Sequence, residues 1–329
     1  MLYRKLGSSN IDVSVIGLGA WAIGGWMWGG TDEEQSIRAI HEALDQGINL
    51  IDTAAVYGYG RSEEIVGRAL RGRREQVVLA TKCGLIWDRE EGEFFFHADE
   101  KGATPRPSQK KIYRNLRPQS IREELQRSLA RLETDHVDLY QTHWQDPTTP
   151  IADTIAALLE LKQEGKIRAI GVSNASLEHL RSYGPIDADQ EKYSLLDRDI
   201  ETNGVLDFCR QNNIAMLAYS PLANGLLTGK MRADRVFPPG DLRRGNRRFG
   251  PKNIERINAL LGQLQPMAQR HRCSIGQLII AATFSQPGIT CVLCGARDPE
   301  QARENAQAGA VALDAAELAE IRAAVTDQG

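Results

Sequence analysis

The sequence predicts an α/β fold, a (β/α)8 TIM barrel, on three observations. Apolar runs of strand length occur eight times in the 329 residues, segments of helical spacing separate them, and no break in composition divides the chain. Single α/β barrels reach this length, so one domain over 1–329 is the expectation. The strands are expected at Val13–Leu18, Ile48–Ile51, Val77–Ala80, Val137–Gln141, Arg168–Gly171, Ala188–Gln190, Ile214–Tyr219 and Ile289–Leu293. Ahead of them, Tyr3–Leu6 and Ile11–Val13 flank Gly7-Ser8-Ser9-Asn10 as a short hairpin that closes the barrel bottom.

The helices carry start and stop signals. Thr31-Asp32-Glu33-Glu34 reads as a capping box, with Ile37, Ile40 and Leu44 following at helical spacing. Ser62 reads as the start of the next helix, and Ser120-Ile121-Arg122-Glu123 as a second box before Leu125, Leu129 and Leu132. Gly165 stops the helix carrying Ile155, Leu158 and Leu159. Asp298-Pro299 pairs an N-cap with a first-turn proline for a helix through Ala308. Two longer polar stretches, Leu85–Arg117 after the third strand and Met231–Pro251 after the seventh, read as loops on the C-terminal face, where barrel enzymes carry function.

Composition narrows the function classes. A net charge of −3 gives no reason to expect nucleic acid or an anionic membrane as partner. No apolar run spans a bilayer, and MLYRKLGSSNIDVS lacks the apolar core of a signal peptide. Five cysteines, an odd number, fit a reduced, cytoplasmic protein. Cys291 and Cys294 form a CxxC inside an apolar run, which reads as buried strand rather than metal or redox site. Gly17-Leu18-Gly19-Ala20-Trp21-Ala22 fits a dinucleotide fingerprint, GxGxxA. The chain then runs into Gly24-Gly25-Trp26-Met27-Trp28-Gly29-Gly30 instead of a helix, so that reading fails.

If the barrel forms, every strand end points at one face. That gathers Asp52 and Tyr57, Lys82, His143, Ser173 and Asn174, Gln190, Tyr219 and Ser220, and Arg297. A buried carboxylate and ammonium are costly unless paired, so Asp52 and Lys82 are expected to pair. A lysine beside a tyrosine favours phenolate and lowers its pKa from about 10. With a histidine next to it, such a tyrosine suits proton donation to an oxygen gaining negative charge. No cysteine or serine sits beside a base as nucleophile and no metal-ligand spacing occurs, so the attacking species is expected from a cofactor.

These residues resemble those of the aldo-keto reductases. "IDTAAVYGYGRSEEIVGRAL", "ATK", "DLYQTHW", "GKIRAIGVSN", "AYSPLANGLLTGK" and "GARDPEQARENA" occur in that family's order over nearly the whole chain. "WAIGGWMWGGTDEEQSI" and "HWQDP" are similar to the bacterial branch that includes general stress aldo-keto reductases. The resemblance implies a barrel binding NADP(H) without a Rossmann domain, and a catalytic tetrad of Asp52, Tyr57, Lys82 and His143. It implies that Tyr57 is general acid in carbonyl reduction and general base in alcohol oxidation. Ser173, Asn174 and Gln190 would hold the nicotinamide carboxamide, and Tyr219 would stack on the ring. Ser220, Pro221, Leu222, Gly225, Leu227 and Lys230 would follow the pyrophosphate, with Gly19 and Trp21 beside the cofactor and Arg243 closing over it. Gly295, Arg297, Gln301 and Asn305 would take the adenosine end. Arg297 immediately precedes a helix N-cap, a good phosphate site, which favours NADPH over NADH. Some branches carry a lysine and a hydroxyl residue where this chain has Gly295 and Ala296, so NADH stays a weaker alternative.

All five tryptophans follow proposed strands. Of these, Trp21, Trp28, Trp87 and Trp144 are expected in the substrate pocket, against small aldehydes, hydroxyaldehydes, sugar-like carbonyls or the matching alcohols. The basic stretch Lys110-Lys111-Ile112-Tyr113-Arg114 suits either an anionic substrate or a solvated loop. The alternative function is a nucleotide-binding redox sensor, akin to a channel subunit, with little turnover.

Overall fold

The structure, a computed structural model, describes residues 1–98 and 110–326. In chain order the strands are β1 (Tyr3–Lys5), β2 (Asp12–Ser14), β3 (Ile16–Gly19), β4 (Leu50–Asp52), β5 (Val78–Cys83), β6 (Leu85–Ile86), β7 (Glu93–Ala98), β8 (Lys110–Arg114), β9 (Val137–Thr142), β10 (Ile167–Ser173), β11 (Ala188–Lys192), β12 (Ala215–Tyr219) and β13 (Ile289–Gly295). The helices are α1 (Glu33–Asp45), α2 (Arg61–Ala69), α3 (Pro118–Leu132), α4 (Ile151–Gln163), α5 (Leu177–Tyr183), α6 (Val205–Gln211), α7 (Pro251–Gln263), α8 (Gln265–Arg270), α9 (Ile275–Phe284), α10 (Pro299–Gln307) and α11 (Ala315–Thr326).

Eight parallel strands close the barrel in the order β3-β4-β5-β9-β10-β11-β12-β13, with β13 pairing back onto β3. Alternate side chains divide between two cores, as strand geometry requires. Leu50, Ala80, Leu139, Ala169, Ala188, Leu217 and Cys291 fill the barrel interior. Ile51, Leu79, Tyr140, Ile170, Met216 and Cys294 face the helices. The two cysteines of the CxxC thus belong to different cores, and both thiols are free. Leu6, Ile11 and Val13 of the hairpin join the interior core, so β1 and β2 close the bottom. No helix of the described residues is long and apolar enough to cross a membrane.

Several local expectations need correction. Val13 belongs to the hairpin, not to the first barrel strand. Ser14 breaks the run: its Oγ donates to Ile16 O (2.7 Å), and its N–H donates to Asn49 Oδ1 (2.7 Å). The stretch after the third strand is not a plain loop: β6, β8 and β7 form a small antiparallel sheet, and residues 99–109 of that stretch lie outside the described residues. At α1 the cap is Asp32, one residue later than expected, accepting from Gln35 N–H. At α3 the N-cap is Arg117 with Pro118 behind it, and Ser120 instead lies inside the helix bonded to Glu124. Gly165 follows the last turn of α4 at φ +72°, and Asp298 caps α10 as expected.

Candidate active site

Asp52 ends β4 and Lys82 lies on the neighbouring β5, which brings both to the barrel mouth. The Lys82 ammonium uses all three of its donors. Nζ donates to Asp52 Oδ2 at 2.6 Å, to Thr53 O at 2.9 Å and to Tyr57 Oη at 3.4 Å. The other carboxylate oxygen, Asp52 Oδ1, accepts from Gln190 Nε2 at 2.8 Å and Gln141 Nε2 at 3.1 Å. Lys82 is 1 % exposed and Asp52 3 %, so the expected pair is a buried one with its remaining valences satisfied.

The loop after β4 aims Tyr57. It packs backbone against backbone on the loop after β3, and glycines at both contact points make this possible. A Cβ on Gly58 (φ +64°) would lie 2.3 Å from Gly24 O, and one on Gly24 would lie 2.8 Å from the Tyr57 carbonyl. Ser62 does not cap α2; Gly60 holds that position. Ser62 Oγ instead donates to Ala20 O (2.8 Å) and contacts Thr53 Oγ1 (2.8 Å), tying the two loops together. His143 follows β9, with its ring edge-on to Tyr57 at 5.5 Å.

The electrostatics depart from the expectation that Lys82 acidifies Tyr57. Burial, then the Asp52 carboxylate, hold the phenol well above its ordinary value. Asp52 matches the Lys82 charge at close range, so desolvation of the phenol dominates. Burial also lowers Lys82, partly offset by Asp52. Burial, then Lys82, push His143 well below the usual histidine range, so it is neutral. The mouth therefore presents a protonated phenol beside a neutral imidazole. Such a pair can donate to an oxygen gaining negative charge, with Lys82 behind it.

A cleft of about 520 Å³ opens on this mouth and runs to α10. Near Tyr57 it is bounded by Gly19, Trp21, Ser173, Asn174, Gln190 and Tyr219. Asn174 (φ +55°) donates to His143 O (3.0 Å) and accepts from Tyr219 Oη (2.8 Å). Ser173 Oγ donates to Gln190 O (2.8 Å). Farther along lie Ser220, Pro221, Leu222, Gly225 and Lys230. At the far end stand Arg243, Gly295, Arg297, Gln301 and Asn305, the last donating to Gly295 O (3.1 Å). Leu227 is the exception. It is buried in the core under α7 and α9, because its side chain turns away from the cleft its neighbours line.

The three cations expected to meet the cofactor differ sharply. Lys230 pairs with Glu304 at 2.6 Å. Arg243 is held by both oxygens of Asp241 and lies over the Trp28 ring at 5.1 Å. Leu242 N–H also donates to Met27 O (2.9 Å), so the loops after β12 and β3 meet across the cleft. Arg297 forms no ion pair among the described residues; its Nη1 donates to Trp28 O at 3.2 Å. It is half-buried at the start of α10, and burial followed by Arg243 depresses its pKa. A half-buried guanidinium with no ion pair, beside a helix N-terminus, fits a phosphate.

Trp21, Trp28 and Trp144 line the cleft, but Trp87 does not. It is half-buried against Tyr59 in the aromatic cluster beneath the insert sheet. Trp26 takes the expected place, stacked on Phe96 of β7, which also lines the cleft. The basic insert residues do not form an anion site. Lys111 pairs with Glu90, Arg114 with Glu93, and Lys110 lies over the Tyr59 ring. Gln141 is the contact that sequence reasoning missed. Its position two residues before His143, on the same face of β9 as the apolar Leu139, was the available signal.

The sequence pattern of the Aldo/keto reductase family matches residues 15–326. The chain is 46 % identical over 312 residues to the NADH-specific methylglyoxal reductase of Escherichia coli (strain K12), covering 92 % of each. It is 43 % identical over 307 residues to the aldo-keto reductase YhdN of Bacillus subtilis (strain 168), covering 92 % of this chain and 86 % of that one. The structure of glycerol dehydrogenase AKR11B4 from Gluconobacter oxydans superposes with a TM-score of 0.84 at 38 % identity, over 99 % of this chain and 96 % of the other. On this coverage and identity, the chain is an oxidoreductase of the aldo/keto reductase family.

Proposed function

We propose that the chain reduces small, uncharged aldehydes and ketones to alcohols, and runs the reverse, with NADPH as its preferred reductant. The observation that carries this is the contact chain from Asp52 through Lys82 to Tyr57, opening beside His143 into the cleft. Tyr57 gives a proton to the carbonyl oxygen during reduction and takes one from the alcohol during oxidation. Neutral His143 donates to the same oxygen. Lys82 steadies negative charge on the phenol, and Asp52 holds Lys82 in place. Asn174, Ser173 and Gln190 offer amide and hydroxyl groups for a carboxamide, and Arg297 offers its free charge to a 2′-phosphate. NADPH, held by these residues, would supply the hydride. The wall of Trp21, Trp26, Trp28, Trp144 and Phe96 favours compact uncharged substrates. Relatives named as a methylglyoxal reductase and a glycerol dehydrogenase support the same substrate range. The NADH-specific name of the first keeps NADH in view as the weaker alternative.

The test is a panel of small aldehydes, dicarbonyls and sugars, followed by the loss of reduced-cofactor absorbance with NADPH and with NADH. Tyr57→Phe is expected to abolish turnover while NADPH binding stays within about twofold. Appreciable activity in that variant would sink the assignment.

A further inference from the structure

Asp52 is gripped from two sides. Lys82 takes Oδ2, while two glutamines on different strands converge on Oδ1. Gln141 lies on β9 directly beside Lys82 in the sheet, and Gln190 lies on β11. An ionised carboxylate only accepts hydrogen bonds, so both amides must present their NH2 groups to it. The second N–H of Gln190 faces Gln141 Oε1 at 3.4 Å, which links the two amides. Neither glutamine has solvent to fall back on, being 0 % and 2 % exposed.

The strand between them makes room for this. Gly171 of β10 pairs with Gln141, and a Cβ there would stand 2.7 Å from Gln141 Cγ and 3.3 Å from its Oε1. The space that admits the Gln141 side chain is therefore the missing side chain of Gly171.

We propose that Gln141 is a positioning residue for the Asp52 carboxylate, acting on the proton chemistry of Tyr57 through Asp52 and Lys82. Gln141 touches neither Tyr57 nor the open cleft. Its amide N–H fixes the plane of the carboxylate, so that Oδ2 stays on Lys82 and Lys82 stays in reach of the phenol. This rests on the reading of Tyr57 as the acid and base of the reaction.

Gln141→Met keeps the length of the side chain and removes only its polar end. Loss of one hydrogen bond to a charged group is expected to lower kcat about tenfold. KM and the NADPH dissociation constant, read by fluorescence titration, are expected to stay within about twofold. Gly171→Ala crowds the Gln141 side chain most closely, with Leu139 Cδ1 next at 3.1 Å, and is expected to push Gln141 off the carboxylate and reproduce the effect. In the Gln141→Met background it is expected to lower kcat no further. The second variant decides the matter if the first does not fold. Native kcat in the folded variants would overturn the positioning role while Tyr57→Phe remains inactive. Turnover retained in Tyr57→Phe would overturn both this role and the reading beneath it.

Discussion

Replacing Asp52 by Asn leaves a buried ammonium with only neutral acceptors, Thr53 O, Tyr57 Oη and the new amide oxygen. Breaking a buried ion pair from one side costs about 3 kcal/mol or more. Lys82→Met strands the carboxylate instead, although Gln141 and Gln190 still donate to it. A cost of about 3 kcal/mol is expected there also. Were the sites independent, the double variant would lose about 6 kcal/mol. It buries no charge at all, and replacing both partners of a buried pair is often close to neutral, so a loss of about 2 kcal/mol is expected. The coupling is then about 4 kcal/mol. Urea unfolding followed by tryptophan fluorescence measures each corner of the cycle. The Asp52→Asn cost should also shrink as pH rises. Burial already lowers the Lys82 pKa, and without Asp52 the amine loses its proton more readily in the folded chain than in the unfolded one. Stability of that variant therefore grows toward alkaline pH. Losses that add to within about 0.5 kcal/mol would refute the argument, since they would mean the two charges do not depend on each other.

Arg297→Met is expected to weaken NADPH binding about tenfold to a hundredfold and to leave NADH binding within about threefold. A charge-assisted bond to the 2′-phosphate is lost in only one of the two cases. Fluorescence titration with both nucleotides measures it, and equal losses would place Arg297 on the shared diphosphate instead. Alcohol oxidation is expected to rise with pH and to show no plateau below about pH 10, because burial and Asp52 hold the phenol above its ordinary value and oxidation needs the phenolate. Carbonyl reduction needs the protonated phenol, so this group should cost it no rate over that range. Initial rates in both directions across pH check the pair of expectations, and an oxidation plateau near neutrality would contradict them.

The strand ends were legible because the barrel imposes a simple rule. Once eight parallel strands are recognised, each residue at a strand's carboxyl end shares one face. That rule brought Asp52, Lys82, His143, Ser173, Gln190 and Tyr219 together from positions more than 160 residues apart. What failed involved side chains acting on distant backbone. Ser14 splits an apolar run through Asn49, which no local pattern reveals. Ser62 and Ser120 sit where caps belong by spacing, yet one binds Ala20 O and the other Glu124. Leu227 and Trp87 were assigned by neighbourhood in the chain, while their orientation is set by packing under α7 and beneath the insert sheet. The insert itself was misjudged because its polar boundaries masked the strand-forming run Phe94-Phe95-Phe96.

The cleft also shows why the right residues alone do not specify a site. Four non-glycine residues along it, Met27, Asn174, Ser220 and Asn224, hold left-handed backbone, a conformation that costs energy unless surroundings enforce it. At Asn174 the enforcement is visible. Its Nδ2 donates to His143 O and its Oδ1 accepts from Tyr219 Oη, so one side chain fixes the ends of β9, β10 and β12 against each other. At Ser220 the hydroxyl donates to Asn224 Oδ1 at 3.3 Å, and Arg243 Nη1 closes on Asn224 O at the same distance. Arg243 is in turn locked by Asp241 and covered by Trp28. The strained turn is therefore braced by the very arginine that sequence reasoning assigned to the ligand. A side chain held by a bidentate carboxylate and a backbone carbonyl has few donors left for a phosphate. Arg243 acts first on the shape of the cleft, and Arg297 at its far end keeps a guanidinium with no ion pair among the described residues.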